Sequence, residues 1–222
     1  MVRLENMKIV FIISTGGAVL NKLLEHNNVR QKTLCVVSDR DCDGIEKAKL
    51  HNVPVEILNA SSGDEFSKLL DEYFNFTDII YISFYTKLLY SKFLNGRQGY
   101  VFNCHPSILP ACKGLDGFGD TLRSNSLFIG CTLHEINEEL DGGRSVIQCA
   151  LPLDRSLKKE KNRHKVFLMQ YYSTLQFLKW TFDGNFRAGK NWKILSPKYK
   201  EGIFSPNLDM DFEEFYGIQI EL

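Results

Sequence analysis

Short apolar runs rich in β-branched residues recur through the first half of the chain, and helical patterns fill the gaps between them. They are Lys8–Ile13, Thr33–Val37, Val53–Leu58, Asp78–Phe84 and Tyr100–Cys104. Runs of this kind suit strands buried on both faces, which belong to parallel sheets covered by helices on each side. Val19, Leu20, Leu23 and Leu24 follow the first run at helical spacing. Ile45, Ala48 and Lys49 follow the second. Phe66, Leu69, Leu70 and Tyr73 follow the third, with Ser61 or Ser62 as the helix cap. Leu88–Leu94 reads as a short helix before the fifth run. The alternation predicts an α/β fold, Rossmann-like, with a mostly parallel sheet, flanking helices and right-handed crossovers.

After residue 126 the pattern changes. Leu127–Ile136 and Ser145–Leu153 are strand-like and can pair as an antiparallel hairpin, although the link between them is long for one. Lys165–Phe182 reads as one long amphipathic helix ended by Asp183-Gly184-Asn185. From Trp192 onward come two short strand-like pieces and an acidic end: residues 209–222 hold five carboxylate side chains and no Lys or Arg. The expected organisation is a catalytic domain over 1–190 and a C-terminal extension over 191–222, with no linker between them.

Composition serves to exclude. The 27 basic and 27 acidic side chains cancel, which argues against a nucleic-acid coat or a membrane-surface binder. Hydrophobic residues make up 44% of the 222, ample for a core without disulfide staples. The six cysteines form no C-x-x-C pair and no metal-ligand spacing, so they are expected as reduced thiols with no metal. No apolar run reaches membrane-spanning length and no signal-peptide core precedes the first strand. A cytoplasmic protein is the expectation, a homodimer is left open, and Met7 can serve as an internal start that makes residues 1–6 dispensable.

Three places carry candidate chemistry. Gly16-Gly17 stands between a strand and a helix, either as a tight turn or as a cradle of backbone N–H groups for an anion. Asn103 and His105 lie at the carboxyl end of a buried strand, where open α/β sheets bind ligands, and their spacing puts both on one face. Leu140-Asp141-Gly142-Gly143 reads as a turn that can hold a carboxylate on a loop, with His134 in the strand leading to it. A carboxamide, an imidazole and a carboxylate together suit acyl transfer without a covalent intermediate.

The segments FNCHPSILPACKG and GCTLHEINEELDGGRSVIQCALPL resemble the folate-dependent formyltransferases, most closely the glycinamide ribonucleotide branch. The matching positions are Asn103, His105, Pro106, Ser107, Leu109 and Pro110, then His134, Asp141 and Gly143. The likeness runs over roughly residues 8–190 and implies the formyltransferase fold, with 10-formyltetrahydrofolate as co-substrate and a primary amine as acceptor. It implies that Asn103, and His105 when protonated, meet the charge developing on the formyl oxygen. It implies that Asp141 relays a proton, and that His134 and Ser107 support these groups. It places the pterin against Lys87, Leu88 and Leu89 on one side and Ile136, Glu139, Leu140 and Asp141 on the other. The Leu109–Pro110 bond is expected to be cis, a turn that aims the site.

The acceptor half departs from the family. Where the branch carries G-N-G-S-N, this chain has Ser14-Thr15-Gly16-Gly17, so hydrogen-bonding side chains of the phosphate loop are missing. An expected arginine is absent from Ser61-Ser62-Gly63-Asp64-Glu65, whose two acids oppose a phosphate. The first reading for the acceptor is therefore an amino sugar linked to a nucleoside diphosphate, as used in bacterial surface polysaccharide. Glycinamide ribonucleotide is the alternative, and a folate-binding paralogue without turnover is the non-enzyme reading. Candidate acceptor contacts are Ser14, Thr15, Gly16, Gly17, Lys113 and Asp116, with Arg123, Trp192 and Tyr199 beyond them.

Overall fold

In the computed structural model, which describes residues 7–74 and 78–222, the first five runs become β1 (Lys8–Ile13), β2 (Thr33–Ser38), β3 (Val55–Ile57), β4 (Ile79–Phe84) and β5 (Val101–His105). They pair in parallel in the order β3-β2-β1-β4-β5. The helices between them are α1 (Ala18–Leu23), α2 (Asn27–Lys32), α3 (Asp43–Leu50), α4 (Gly63–Tyr73) and α5 (Ser91–Leu94). The chain continues through α6 (Gly117–Arg123), β6 (Phe128–Glu135), β7 (Ser145–Pro152), α7 (Lys159–Phe182), β8 (Phe186–Arg187), β9 (Lys193–Ile194), β10 (Phe204–Ser205) and α8 (Phe212–Tyr216). Strands β6, β7 and β10 add antiparallel beyond β5 and complete an eight-stranded sheet. The expectation for residues 1–6 lies outside the described residues.

The two-residue period of a strand sorts the core into two layers. Ile9, Phe11 and Ile13 of β1 face the layer that holds α1, α3, α7 and the C-terminal segment, while Val10 and Ile12 face the layer of α4 and α5. All five are fully buried. Each such side chain contributes on the order of 1.5–3 kcal/mol of hydrophobic stabilisation before conformational entropy is set against it. That is why the run carries no polar residue after Lys8.

The sequence-based boundaries need four corrections. Helix α7 begins at Lys159, not Lys165, because its first turns (KEKNRH) are polar on most sides and only Asn162 is buried there. The 88–94 helix shrinks to Ser91–Leu94, since Lys87 to Leu89 form part of a cleft wall. Helices α2, α6 and α8 are too short for an apolar period to show. The third strand is trimmed to Val55–Ile57. The hairpin of β6 and β7 forms despite its long link. The segment after residue 190 packs into the same core through Trp192, Phe204, Phe212 and Tyr216. Among the described residues no helix is long and apolar enough to cross a membrane.

The strand order turns back between β1 and β4: the chain adds β2 and β3 on one side of β1, then crosses to place β4 and β5 on the other. A crevice opens at such a point beyond the carboxyl ends of the strands. Here it is a cleft of about 1370 Å³, larger than a typical single-ligand pocket and roomy enough for two substrates.

Candidate active site

Asn103 and His105 project from the end of β5 on the face opposite Phe102 and Cys104, which are core. Strand β6 runs antiparallel beside β5 and sets His134 directly across from Asn103. Cross-strand neighbours share a face. Asp141 then comes back over the strand ends from the loop after β6. Its backbone is left-handed (φ 49°), a conformation Asp tolerates better than most residues at a cost of about 1–2 kcal/mol. Gly143 lets that loop return, since a Cβ there would collide with the Glu135 carbonyl.

The four side chains form a closed group. His105 Nδ1 is 3.5 Å from Asp141 Oδ2, and His134 Nε2 is 3.5 Å from Asp141 Oδ1. Asn103 Nδ2 lies 3.4 Å from His134 Nε2. His105 and His134 are buried, and the Asp141 side chain is only 8% exposed. A carboxylate this enclosed needs donors, and the Gly114 N–H supplies one to Oδ2 at 2.7 Å. Oδ1 accepts no hydrogen bond of comparable length from the described residues.

Partners assign the two imidazoles different tasks. His134 Nδ1 faces the Glu135 carbonyl at 2.8 Å, which can only accept, so Nδ1 carries the hydrogen and Nε2 the lone pair. Burial holds His134 below the ordinary histidine value, in spite of the attraction of Asp141, and keeps it neutral. Its Nε2 can therefore accept from the Asn103 amide and fix which way that amide points. His105 differs: Nε2 meets the Cys112 carbonyl at 2.8 Å and Nδ1 meets Asp141, so acceptors face both nitrogens. The imidazolium is the form that offers a donor to each. The Cys112 carbonyl is itself fixed by the buried Ser107, whose hydroxyl donates to Ala111 O at 2.7 Å and to Cys112 O at 3.2 Å. Leu109–Pro110 is cis, and Gln148 and Thr132 fasten the same turn to β6 and β7. Gly117 packs on the His105 ring so closely that a Cβ would overlap Nε2.

One wall of the cleft carries Lys87, Leu88 and Leu89, and the other Ile136, Glu139 and Leu140. Leu88 and Leu140 are each 43% exposed, unlike core leucines, and present apolar surface to a ring entering between them. Lys87 is held by the buried Asp39 at 3.0 Å. Burial alone would raise the Asp39 carboxyl, but Arg40, Lys87 and Tyr85 hold it below the usual range. Glu139 pairs with Lys113 at 2.8 Å on the rim.

The acceptor end needs more correction. Thr15, Gly16 and Gly17 line the cleft, but Ser14 does not: its hydroxyl bonds Thr86 at 2.8 Å and ties the ends of β1 and β4 together. Lys113 is turned to Glu139 and lies off the cleft wall. Asp116 touches the wall, caps α6 through Gly119 and pairs with Arg123, which lies off the wall. Trp192 is buried on Glu135, and Tyr199 is 70% exposed and no part of the wall. Asp64 and Glu65 do not oppose a ligand: Asp64 pairs with Lys92, and Glu65 folds back on Ser61 while its own N–H caps on Ser62. Sequence reasoning missed Lys47 on α3 and the stripe Lys159, Arg163, Phe167 and Gln170 on α7, all facing the cleft. The stripe is spaced i, i+4, i+8 and i+11, and an earlier helix start would have exposed it.

Residues 7–170 match the Formyl transferase family. The chain is 29% identical to the phosphoribosylglycinamide formyltransferase of Haemophilus influenzae over 86% of its own length and 94% of that protein's. It is 26% identical to the human trifunctional purine biosynthetic protein adenosine-3 over 86% of its own length, but spans only 20% of that larger protein. The crystal structure of glycinamide ribonucleotide transformylase 1 from Symbiobacterium toebii superposes with a TM-score of 0.75 at 23% identity, covering 86% of this chain and 95% of that one. This last likeness concerns the fold.

Proposed function

Since the chain belongs to the formyl transferase family, with 10-formyltetrahydrofolate as co-substrate, we propose that it formylates the primary amine of a phosphorylated small molecule, with glycinamide ribonucleotide as the leading acceptor. The convergence of Asn103, His105 and Asp141, supported by neutral His134, carries the reading. Bound between the leucine-bearing walls, the folate supplies a formamide-like carbonyl, a poor electrophile. Asn103 Nδ2, aimed by His134 Nε2, donates to the formyl oxygen as negative charge grows there. Such a donor typically lowers the barrier by ~3 kcal/mol. His105, held by the Cys112 carbonyl at Nε2, lies beside the same point and in its protonated form adds positive charge there. Asp141 Oδ1 takes the proton that the attacking amine loses, directly or through one water, and passes it to N10 of the folate as the C–N10 bond breaks, so that the formyl group stays on the acceptor nitrogen and tetrahydrofolate leaves. The enclosed cleft holds both reactants in line.

For the acceptor, relatives named phosphoribosylglycinamide formyltransferase favour glycinamide ribonucleotide over the amino sugar preferred from sequence. The acidic objection to a phosphate also falls away, because Asp64 and Glu65 have partners elsewhere. One observation keeps a nucleotide-linked amino sugar as second reading: the Ser14–Gly17 loop offers no free hydroxyl or amide side chain apart from Thr15. A turnover screen decides. The purified chain is given 10-formyltetrahydrofolate with glycinamide ribonucleotide, dTDP-amino sugar or GDP-amino sugar, and tetrahydrofolate release is followed. Formylation of the ribonucleotide is expected; turnover with an amino sugar alone would reverse the assignment, and turnover with none would refute it.

A further inference from the structure

The loop that carries Asp141 runs from Ile136 to Arg144, between Glu135 at the end of β6 and Ser145 at the start of β7. Its two ends meet at one side chain from far along the sequence. The Trp192 indole N–H donates to Glu135 Oε2 at 2.9 Å. The Arg144 guanidinium lies over the same indole, 4.1 Å from the ring centroid, and donates to the Trp192 carbonyl at 3.3 Å. Trp192 is itself buried, packed against Phe102 and Phe186, and its backbone N–H donates to Gly189 O at 2.7 Å. Glu135 is buried as well, and its second oxygen, Oε1, accepts from Gly99 N at 2.7 Å. A carboxylate in such surroundings requires its donors, so Trp192 and Gly99 together fix where Glu135 sits. The Glu135 backbone in turn serves the reaction centre. Its carbonyl accepts from His134 Nδ1 at 2.8 Å and has Gly143 packed on it, and its N–H closes the base of the loop on Arg144 O at 2.9 Å.

We propose that Trp192 is a positioning residue for formyl transfer: by gripping Glu135 and Arg144 at once, it fixes both ends of the loop that brings Asp141 to His105 and His134. The inference rests on the formyl-transfer reading above and adds to its machinery a residue of the segment after 190, which lies beyond the residues that match the family. Trp192, Glu135 and Arg144 all stand off the cleft wall, so none of them meets a reactant there. Their effect passes through the loop. A displacement of reacting groups by about 1 Å can cost on the order of a hundredfold in rate, so a loosened grip registers in kcat. Ile136, Glu139 and Leu140 belong to the same loop and to the cleft wall, so the folate side of the site feels the change too.

Two substitutions in the full chain test the grip: Trp192→Leu, in the core, and Arg144→Met, at an exposed position where folding is not at risk. Trp192→Leu should lower kcat by about twentyfold and Arg144→Met by about fivefold, within what a small displacement costs. KM for 10-formyltetrahydrofolate should rise and KM for the acceptor should hold. Arg144→Lys, which keeps a cation over the ring, should recover most of the loss. Combined with Asp141→Asn, neither substitution should lower kcat further, whereas a merely structural role would lower it again. Amide hydrogen exchange supplies a readout independent of turnover: residues 136–144 should exchange faster in both variants while β1 and β4 keep their protection. Unchanged kcat in both variants, the same fall in the Asp141→Asn background, or unchanged exchange over 136–144 overturns the positioning role. Faster exchange there in variants of a chain that formylates no amine leaves the grip standing and strikes instead at the reading on which the inference rests.

Discussion

The two ends of the cleft are built on different principles. At the reaction end, Asn103, His105, His134 and Asp141 are enclosed and held by backbone groups: Cys112 O, Glu135 O and Gly114 N each fix one of them. Elsewhere along the cleft, Lys47, Lys159 and Arg163 line it from helix surfaces on flexible stems. Enclosure fixes geometry and protonation state but forbids substitution. Side chains on helix surfaces with few fixed partners tolerate change more readily. The departures from the family fall accordingly at the acceptor end, while the N-x-H-P-S segment and its aspartate are intact.

The sharpest way to break this contrast is to replace the enclosed groups one at a time. Asn103→Ala, His105→Ala and Asp141→Asn are each expected to lower kcat by two orders of magnitude or more, near the ~3 kcal/mol of a lost transition-state donor. Circular dichroism and Tm should stay near those of the unmutated chain. If all three kept more than about a tenth of the activity, the reaction end would not be where it is drawn here.

A smaller effect is expected from Gly117→Ala. The added methyl must push the His105 ring or move α6, since it would overlap Nε2. Overpacking of this kind costs about 1–3 kcal/mol. Urea denaturation should register the loss, and kcat should fall with it while KM for the acceptor holds. Unchanged stability and kcat would mean that the ring is not clamped.

Acid provides the mildest test. His134 and His26 are both held below the ordinary histidine value, chiefly by burial. The unfolded chain therefore takes up protons first. Stability from these two groups is intact above about pH 6.5 and is lost as the pH falls below it, toward their folded values. Tm should drop between about pH 7.5 and 5.5, and His134→Gln should flatten part of the drop. A His134→Gln curve parallel to that of the unmutated chain would show that His134 is not the buried neutral group described.

Much of the site was legible because its chemistry is local. Asn103 and His105 are two apart on a strand, and Pro106 and the glycines after Asp141 mark turns by their own backbone preferences. What stayed hidden was made of groups that carry no sequence signal. Gly114 N and Cys112 O act through the backbone, which every residue has. The surroundings of Ser14, Lys113 and Asp116 stayed hidden for a related reason: each is a polar side chain near the cleft with an intramolecular partner in Thr86, Glu139 or Arg123.

The sequence by itself determined the α/β alternation, the carboxyl strand ends where ligands bind, and the residue types able to do the chemistry. Those follow from periods of two and 3.6 residues and from the turn preferences of single residues, all readable between near neighbours. Only the tertiary structure decided that β6 registers His134 against Asn103, that Asp141 returns to meet both histidines, and that α3 and α7 bring Lys47 and Arg163 to one cleft. Contacts between distant segments depend on register and packing, and there the nearest available partner, rather than the chemistry of a side chain alone, settles what that side chain does.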